Sequence, residues 1–253
     1  DLDGVINMAR GASSLTLETP AKGKTASKKP IRLAVARDEA FHFYYQDLFD
    51  ELHMRGCNID FFSPIRDETL PPGIDALYLG GGYPEAYARE LSENESMRRG
   101  IQKFSNTGGP VYAECGGLIY LSKAITTREG TRYPLLGMLP GETRMLEKRK
   151  HLGYVEVALR EDTLWGKAGA RIRGHEFHYS ELLPMEARDL TGWSSVYEMS
   201  ARNQMNVSPE GFFHAGRRIL ASYVHLHLAS HSTALDHFID FCLKNGSRAE
   251  TVE

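Results

Sequence analysis

With 253 residues, 42% of them apolar and 25% charged, the chain has the composition of a soluble globular protein and length enough to bury a substantial core. A formal charge of -3, with acidic and basic residues interspersed, argues against a polyanion-binding surface and so against nucleic acid as a partner. No apolar run approaches the roughly 18 residues of a membrane span, and the three cysteines, without a CxxC pair, fit reduced thiols in a cytoplasmic protein.

The opening stretch "DLDGVINMARGASSL" reads as the end of a helix, and "TLETPAKGKTASKKP" has the Pro, Lys, Ser and Thr content of a solvated linker. The expected organisation is a remnant of a preceding domain over 1–15, a linker over 16–30, one large domain over 31–246 and a tail over 247–253. From Ile31 onward short apolar runs alternate with helical spacing. "IRLAVA" predicts a strand and "YYQDLFDELHMRG" a helix closed by Gly56. "NIDFFSP" and "IDALYLGGG" predict two more strands, the second running into glycines. "NESMRRGIQKFSNTGG" predicts a helix capped by Asn94, "PVYA" a fourth strand, and a helix follows Cys115. This alternation implies a parallel sheet covered by helices on both faces. The second half is richer in period-2 stretches ("GYVEVAL", "ARIRGHEFHYSEL", "SSVYEMSA", "EGFFHAGRRILASYVHLHLA"), which predict additional strands. A helix over "HSTALDHFIDFCLKNG" closes the pattern, with Leu235, Phe238, Ile239, Cys242 and Leu243 on one face.

Three stretches carry candidate chemistry. In "PVYAECGGLIYL", Cys115 stands at the carboxyl end of a strand, where the functional groups of parallel sheets collect. Gly116 and Gly117 suit a sharp strand-to-helix turn, and the helix N-terminus favours a thiolate. The arrangement fits a nucleophile, with a packed thiol as the alternative; Cys57 and Cys242 read as packing residues. In "SYVHLHLAS", a strand would set Tyr223, His225 and His227 on one face and Val224, Leu226 and Leu228 on the other, so either histidine could serve as a base. In "LGGGYPEAY", Gly80, Gly81 and Gly82 follow a strand and could present N–H groups to an oxyanion. No Gly-Lys-Ser/Thr follows and the dinucleotide spacing is not met, so a nucleotide loop does not fit. "GHEFHYS" sets His175 and His178 three apart, which on a strand turns them to opposite faces and argues against a metal pair. The run containing Phe41, Phe43, Tyr44 and Tyr45 reads as core, with a flat apolar ligand or a domain contact as the alternative.

Taken in order, "VARDEAFHFYY", "FFSPIRDETLP", "LYLGGGYPE", "YAECGGLIYL", "RGHEFHYS" and "SYVHLHLAS" resemble the glutamine amidotransferase domain of the cobyrinic acid a,c-diamide synthases, from Ile31 to Asn245. That group includes the hydrogenobyrinic acid and nickel-sirohydrochlorin enzymes, and single motifs are shared with cobyric acid synthase. The resemblance implies a class I amidotransferase-like, flavodoxin-like α/β fold: a mostly parallel sheet flanked by helices, with additional strands in the second half. It implies Cys115 as nucleophile and His225 as general base and acid. Gly81, Gly82 and Gly116 would bind the oxyanion and glutamine, and Arg149, Lys150 and His227 are candidates for holding substrate. No metal is implied in this chain; ATP and magnesium belong to an N-terminal synthetase domain that acts on a corrinoid. A homodimer is one assembly it admits. The wider class places a glutamate where His227 stands, so a Cys–His dyad is expected without a named third member; Glu114, next to Cys115, is a candidate for that place, although it alternates away from Cys115.

Overall fold

The computed structural model describes residues 1–13, 30–201 and 210–245, so nearly all of the expected linker, and the expected tail, lie outside the described residues. Helix α1 (Leu2–Arg10) is capped by Asp1, whose Oδ1 accepts from the Gly4 N–H at 2.9 Å, and none of its residues is buried.

The alternating half runs β1 (Ile31–Ala36), β2 (Phe41–Phe43), α2 (Gln46–Met54), β3 (Cys57–Phe62), β4 (Ala76–Leu79) and β5 (Gly81–Gly82). It continues through α3 (Ala88–Glu93), α4 (Glu95–Asn106), β6 (Val111–Glu114) and α5 (Gly116–Leu121). Then come β7 (Ala124–Thr126), β8 (Arg132–Pro134), β9 (Thr143–Met145), β10 (His151–Leu159), β11 (Arg171–His178) and β12 (Ser180–Leu182). Strands β13 (Trp193–Ala201), β14 (Glu210–His214), β15 (Ile219–Ser222) and β16 (His225–Leu226) precede α6 (Ser232–Asn245). The helix signals read from sequence act locally: Gly56 takes φ +82° just past α2, and Asn94 Oδ1 accepts from the Met97 N–H at 3.2 Å to cap α4.

Ten strands form one sheet in the order β16-β11-β10-β13-β14-β15-β6-β4-β1-β3. From β3 through β1, β4 and β6 to β15 the neighbours are parallel, as the strand–helix alternation requires. From β15 through β14, β13, β10 and β11 to β16 they are antiparallel, and these are the additional strands. Only Tyr223 and Val224 separate β15 from β16, although four strands stand between them in the sheet order. The antiparallel half therefore curls back onto the chain leaving the parallel half, and this curl carries His225 to the end of β6.

Apolar side chains alternate across the parallel strands. Ile31, Leu33 and Val35 of β1 join Leu48, Phe49 and Leu52 of α2 in one buried cluster, while Ala34 and Ala36 join Met97 and Ile101 of α4 in another. Val224, Leu226 and Leu228 belong to the first cluster, together with Trp165 and Phe238. Among the described residues no helix is long and apolar enough to cross a membrane.

Candidate active site

Strand β6 ends at Glu114 and α5 begins at Gly116, which leaves Cys115 alone at the turn with φ 47° and ψ -96°. A non-glycine residue in such a conformation stores on the order of 1–3 kcal/mol and persists only where its surroundings hold it. The holding contacts are visible: the Cys115 N–H donates to Ser222 O at 2.7 Å, and the Gly117 N–H to Gly80 O at 2.9 Å. The glycine after Gly116 is a steric requirement, since a Cβ on Gly117 would stand 2.1 Å from Leu79 O. Gly82, at φ +154°, is equally constrained, with Ala40 O 2.0 Å from the position its Cβ would take.

Cys115 lines a cavity of about 90 Å³ whose walls include Phe43, Gly82, Glu85, His175, His178 and His225. The glycine strand β5 is positioned by its pairing with β2, Gly81 opposite Phe43 and Gly82 opposite Phe41. Packing locates the His225 ring on several sides. A Cβ on Gly81 would lie 2.3 Å from its Cε1, so only glycine lets the ring approach. Phe43 meets the ring edge-on at 4.8 Å between centroids, and His175, its partner across the β11–β16 ladder, stacks on it at 4.8 Å. Tyr45 Oη and His175 Nδ1 are hydrogen-bonded at 3.0 Å, which fixes the stacked ring in turn. Behind His225, Glu114 Oε2 is 3.9 Å from Nδ1.

Burial governs the charge states. The Cys115 thiol is pushed up to about 12 by burial first, then by the charges of Glu85 and Glu114, with the Gly116 N–H acting in the opposite direction. The thiolate expected from the helix N-terminus is thus not favoured at rest: α5 has only six residues, all buried, and desolvation outweighs its dipole. His225 is pushed down to about 3 by burial, reinforced by His175 and His178. Thiol and imidazole are therefore both neutral near neutral pH rather than a stored ion pair.

The other sequence-derived residues divide between this cavity and its surroundings. Gly116 and Gly82 adjoin each other beside Cys115, the Gly82 nitrogen lying 3.1 Å from where a Gly116 Cβ would be. The Gly80 N–H is spent on Tyr44 Oη at 3.0 Å, so Gly80 offers nothing to an oxyanion. His227 does not share a working face with His225. The chain leaves β16 after Leu226 and enters a 3-10 turn, so the His227 ring meets Tyr45 and its Nε2 lies 3.1 Å from Asp47 Oδ2. Arg149 is exposed and does not line the cavity. Lys150 pairs with Glu181 at 3.0 Å and lines a second cavity of about 530 Å³, because its N–H donates to His178 O and places it beyond that residue. His175 and His178 do alternate along β11, yet both line the Cys115 cavity, His178 stacked on Tyr223 at 4.0 Å. Of the aromatic run, Phe41 is core, while Phe43, Tyr44 and Tyr45 brace the site.

Two residues went unread in the sequence. Glu85 lines the cavity; burial raises its carboxyl, and Arg128 acts against that shift. The Arg128 guanidinium carbon lies 5.5 Å from the ring centroid of Tyr179, another cavity residue. Glu85 could have been found from its place three residues past Gly82, whereas no spacing ties Arg128 to the motifs.

Comparison with known proteins places the chain among relatives of known name. The cobyrinate a,c-diamide synthase of Syntrophotalea carbinolica is 47% identical over 227 residues, spanning 88% of this chain and 49% of that protein. The protein of the same name from Leptospira interrogans serovar Lai is 39% identical over 244 residues, 96% of this chain and 52% of that protein. The chain thus spans about half the length of these relatives. In solved structures the fold recurs in PurLQS from Thermotoga maritima (TM-score 0.58, 14% identity, 83% of this chain and 98% of that one). It recurs also in a crystal structure of a glutamine amidotransferase (TM-score 0.58, 16% identity, 83% of this chain and 98% of that one). Residues 32–233 match the CobB/CobQ-like glutamine amidotransferase domain, and the chain belongs to that family.

Proposed function

We propose that this chain is a glutaminase domain that releases ammonia from the side-chain amide of glutamine, with Cys115 as nucleophile and His225 as base and acid. The observation that carries this is the strained, buried Cys115 sharing one small cavity with a neutral His225. In the first step the Cys115 Sγ attacks the amide carbon and its proton passes to His225 Nε2. The oxyanion would be met by N–H groups of Gly116 and of the Gly81–Gly82 loop; one such donor is typically worth about 10² to 10³ in rate. His225 then protonates the leaving nitrogen, ammonia departs, and water hydrolyses the thioester to glutamate. Glu85 suits the α-ammonium of glutamine, and Arg128, rather than Arg149 or Lys150, suits its α-carboxylate.

The relatives' name extends the proposal. The ammonia would amidate the a and c side-chain carboxylates of cobyrinic acid, or of a closely related tetrapyrrole, in cobalamin biosynthesis. Activation of those carboxylates with ATP and magnesium is assigned to the part of the relatives' length that this chain does not span. Three buried free cysteines accord with a reducing, cytoplasmic setting. Cys115→Ala, in the complete protein, is expected to abolish glutamine hydrolysis while leaving the circular dichroism spectrum unchanged. Hydrolysis at the parent rate would sink the reading.

A further inference from the structure

His225 Nδ1 is buried and has no hydrogen-bond partner. Leaving a buried nitrogen without a hydrogen-bond partner is destabilising, so what it faces calls for an account. It faces Glu114 Oε2 at 3.9 Å, and both side chains are about 95% buried (relative exposures 5% and 4%). Glu114 already accepts from the Tyr112 hydroxyl at 2.7 Å and the Leu226 N–H at 3.0 Å on Oε1, and from the Tyr78 hydroxyl on Oε2. Burial drives both phenols well above their ordinary range, so each donates rather than accepts. A carboxylate offers about four acceptor positions. Three are filled, and the fourth belongs to the oxygen nearer His225. Leu226 directly follows His225, so the same carboxylate also fixes the backbone that carries the ring.

We infer that Glu114 is the positioning residue of this site: its carboxylate takes the Nδ1–H of His225, leaving Nε2 bare for the Cys115 thiol. The inference rests on the glutaminase reading. In the attack step the sulfur electron pair forms the C–S bond, the thiol proton moves to Nε2, and the Nδ1 proton stays between His225 and Glu114. The ring is then an imidazolium beside a carboxylate, and the 3.9 Å gap closes by about 1 Å to a charge-assisted hydrogen bond. When the C–N bond breaks, the Nε2 proton leaves with ammonia, and the Nδ1 proton stays between His225 and Glu114. His227 cannot fill this role, because its ring is turned to Asp47.

The test is Glu114→Gln in the complete protein, assayed for glutamine hydrolysis. The new amide N–H would donate to Nδ1 and force the proton onto Nε2, the wrong tautomer for a base. The expected result is a fall in kcat of roughly 10² to 10⁴, the upper end being about what converting a triad carboxylate to its amide costs, with KM for glutamine changed less than about threefold. In a His225→Ala background the same substitution should cost nothing further. An equal loss in both backgrounds would mean that Glu114 only packs, and would overturn the inference. Nitrogen-15 NMR of histidine-labelled parent protein needs no variant to fold: His225 is expected as the Nδ1–H tautomer, and an Nε2–H tautomer overturns the inference. If Cys115→Ala is inactive while Glu114→Gln is unimpaired, this inference alone fails; if Cys115→Ala stays active, the glutaminase reading fails with it.

Discussion

Cys115 combines two features that pull in opposite directions: a strained turn that presents its sulfur, and burial that keeps the sulfur protonated. A thiol pushed up to about 12 is almost wholly uncharged at neutral pH, so in the proposed mechanism its activation comes from proton transfer to a positioned base during attack. This makes a direct prediction for the resting protein. Alkylation of Cys115 by iodoacetamide, followed by peptide mapping, should speed up about tenfold per pH unit from pH 7 to 10. A rate that levels off below pH 8 would show a stored thiolate and contradict the neutral-pair reading. Cys57 and Cys242, also buried and shifted upward, should stay nearly unlabelled over the same range.

At the scale of elements, the β6–Cys115–α5 turn and the β2–β5 ribbon form one unit, held by backbone contacts too close for side chains. Gly117→Ala would set a methyl carbon 2.1 Å from Leu79 O, a backbone atom of the central sheet that cannot swing aside. The expected cost is roughly 1–3 kcal/mol in urea unfolding together with loss of glutaminase activity, because the turn carrying Cys115 has to shift. Gly100→Ala is the control. Gly100 lies within α4 and a Cβ there meets nothing within 4 Å, so the substitution should stabilise by about 0.5–1 kcal/mol and leave activity intact. A Gly117→Ala protein as stable and active as the parent would show that the turn is slack.

For the molecule as a whole, the curl of the sheet brings carboxylates into the interior. Glu210 begins β14 and accepts from Ser222 Oγ at 2.8 Å and the Tyr223 N–H at 2.6 Å, tying β14 to the connection between β15 and β16. Burial pushes its carboxyl up to about 7, as it does for Glu114. For an acid held higher in the folded state, the folded form binds the proton more tightly than the unfolded chain. Its stabilisation is therefore full below the ordinary value of 4.5 and lost as pH rises through about 7. His225 runs the other way: displaced from 6.5 to about 3, it contributes fully above 6.5 and loses that contribution as pH falls toward 3. Glu210→Gln isolates one of these opposed slopes. Variant-minus-parent stability should rise between pH 5 and pH 8, by at most about 3 kcal/mol, measured by urea unfolding at each pH. A flat difference would mean that Glu210 titrates as an ordinary carboxyl.

Local chemistry made much of this protein legible in one dimension. Strand–helix alternation from Ile31, the glycine past α2, the Asn94 cap and the small residues after Cys115 depend on neighbours a few positions apart, and the parallel half of the sheet followed from them. Family motifs joined Cys115 to His225, which are 110 positions apart and which no periodicity could connect. What sequence could not supply was register and curvature. The two-residue length of β16 turns His227 to Asp47, and the pairing of His175 with His225 stacks those rings. The bend between β15 and β16 brings the His225 ring beside Glu114, which along its own strand points away from Cys115. Side-chain direction in a strand is a local property, readable by counting residues. Which side chains then meet depends on pairing between distant strands, and only the folded sheet decides that.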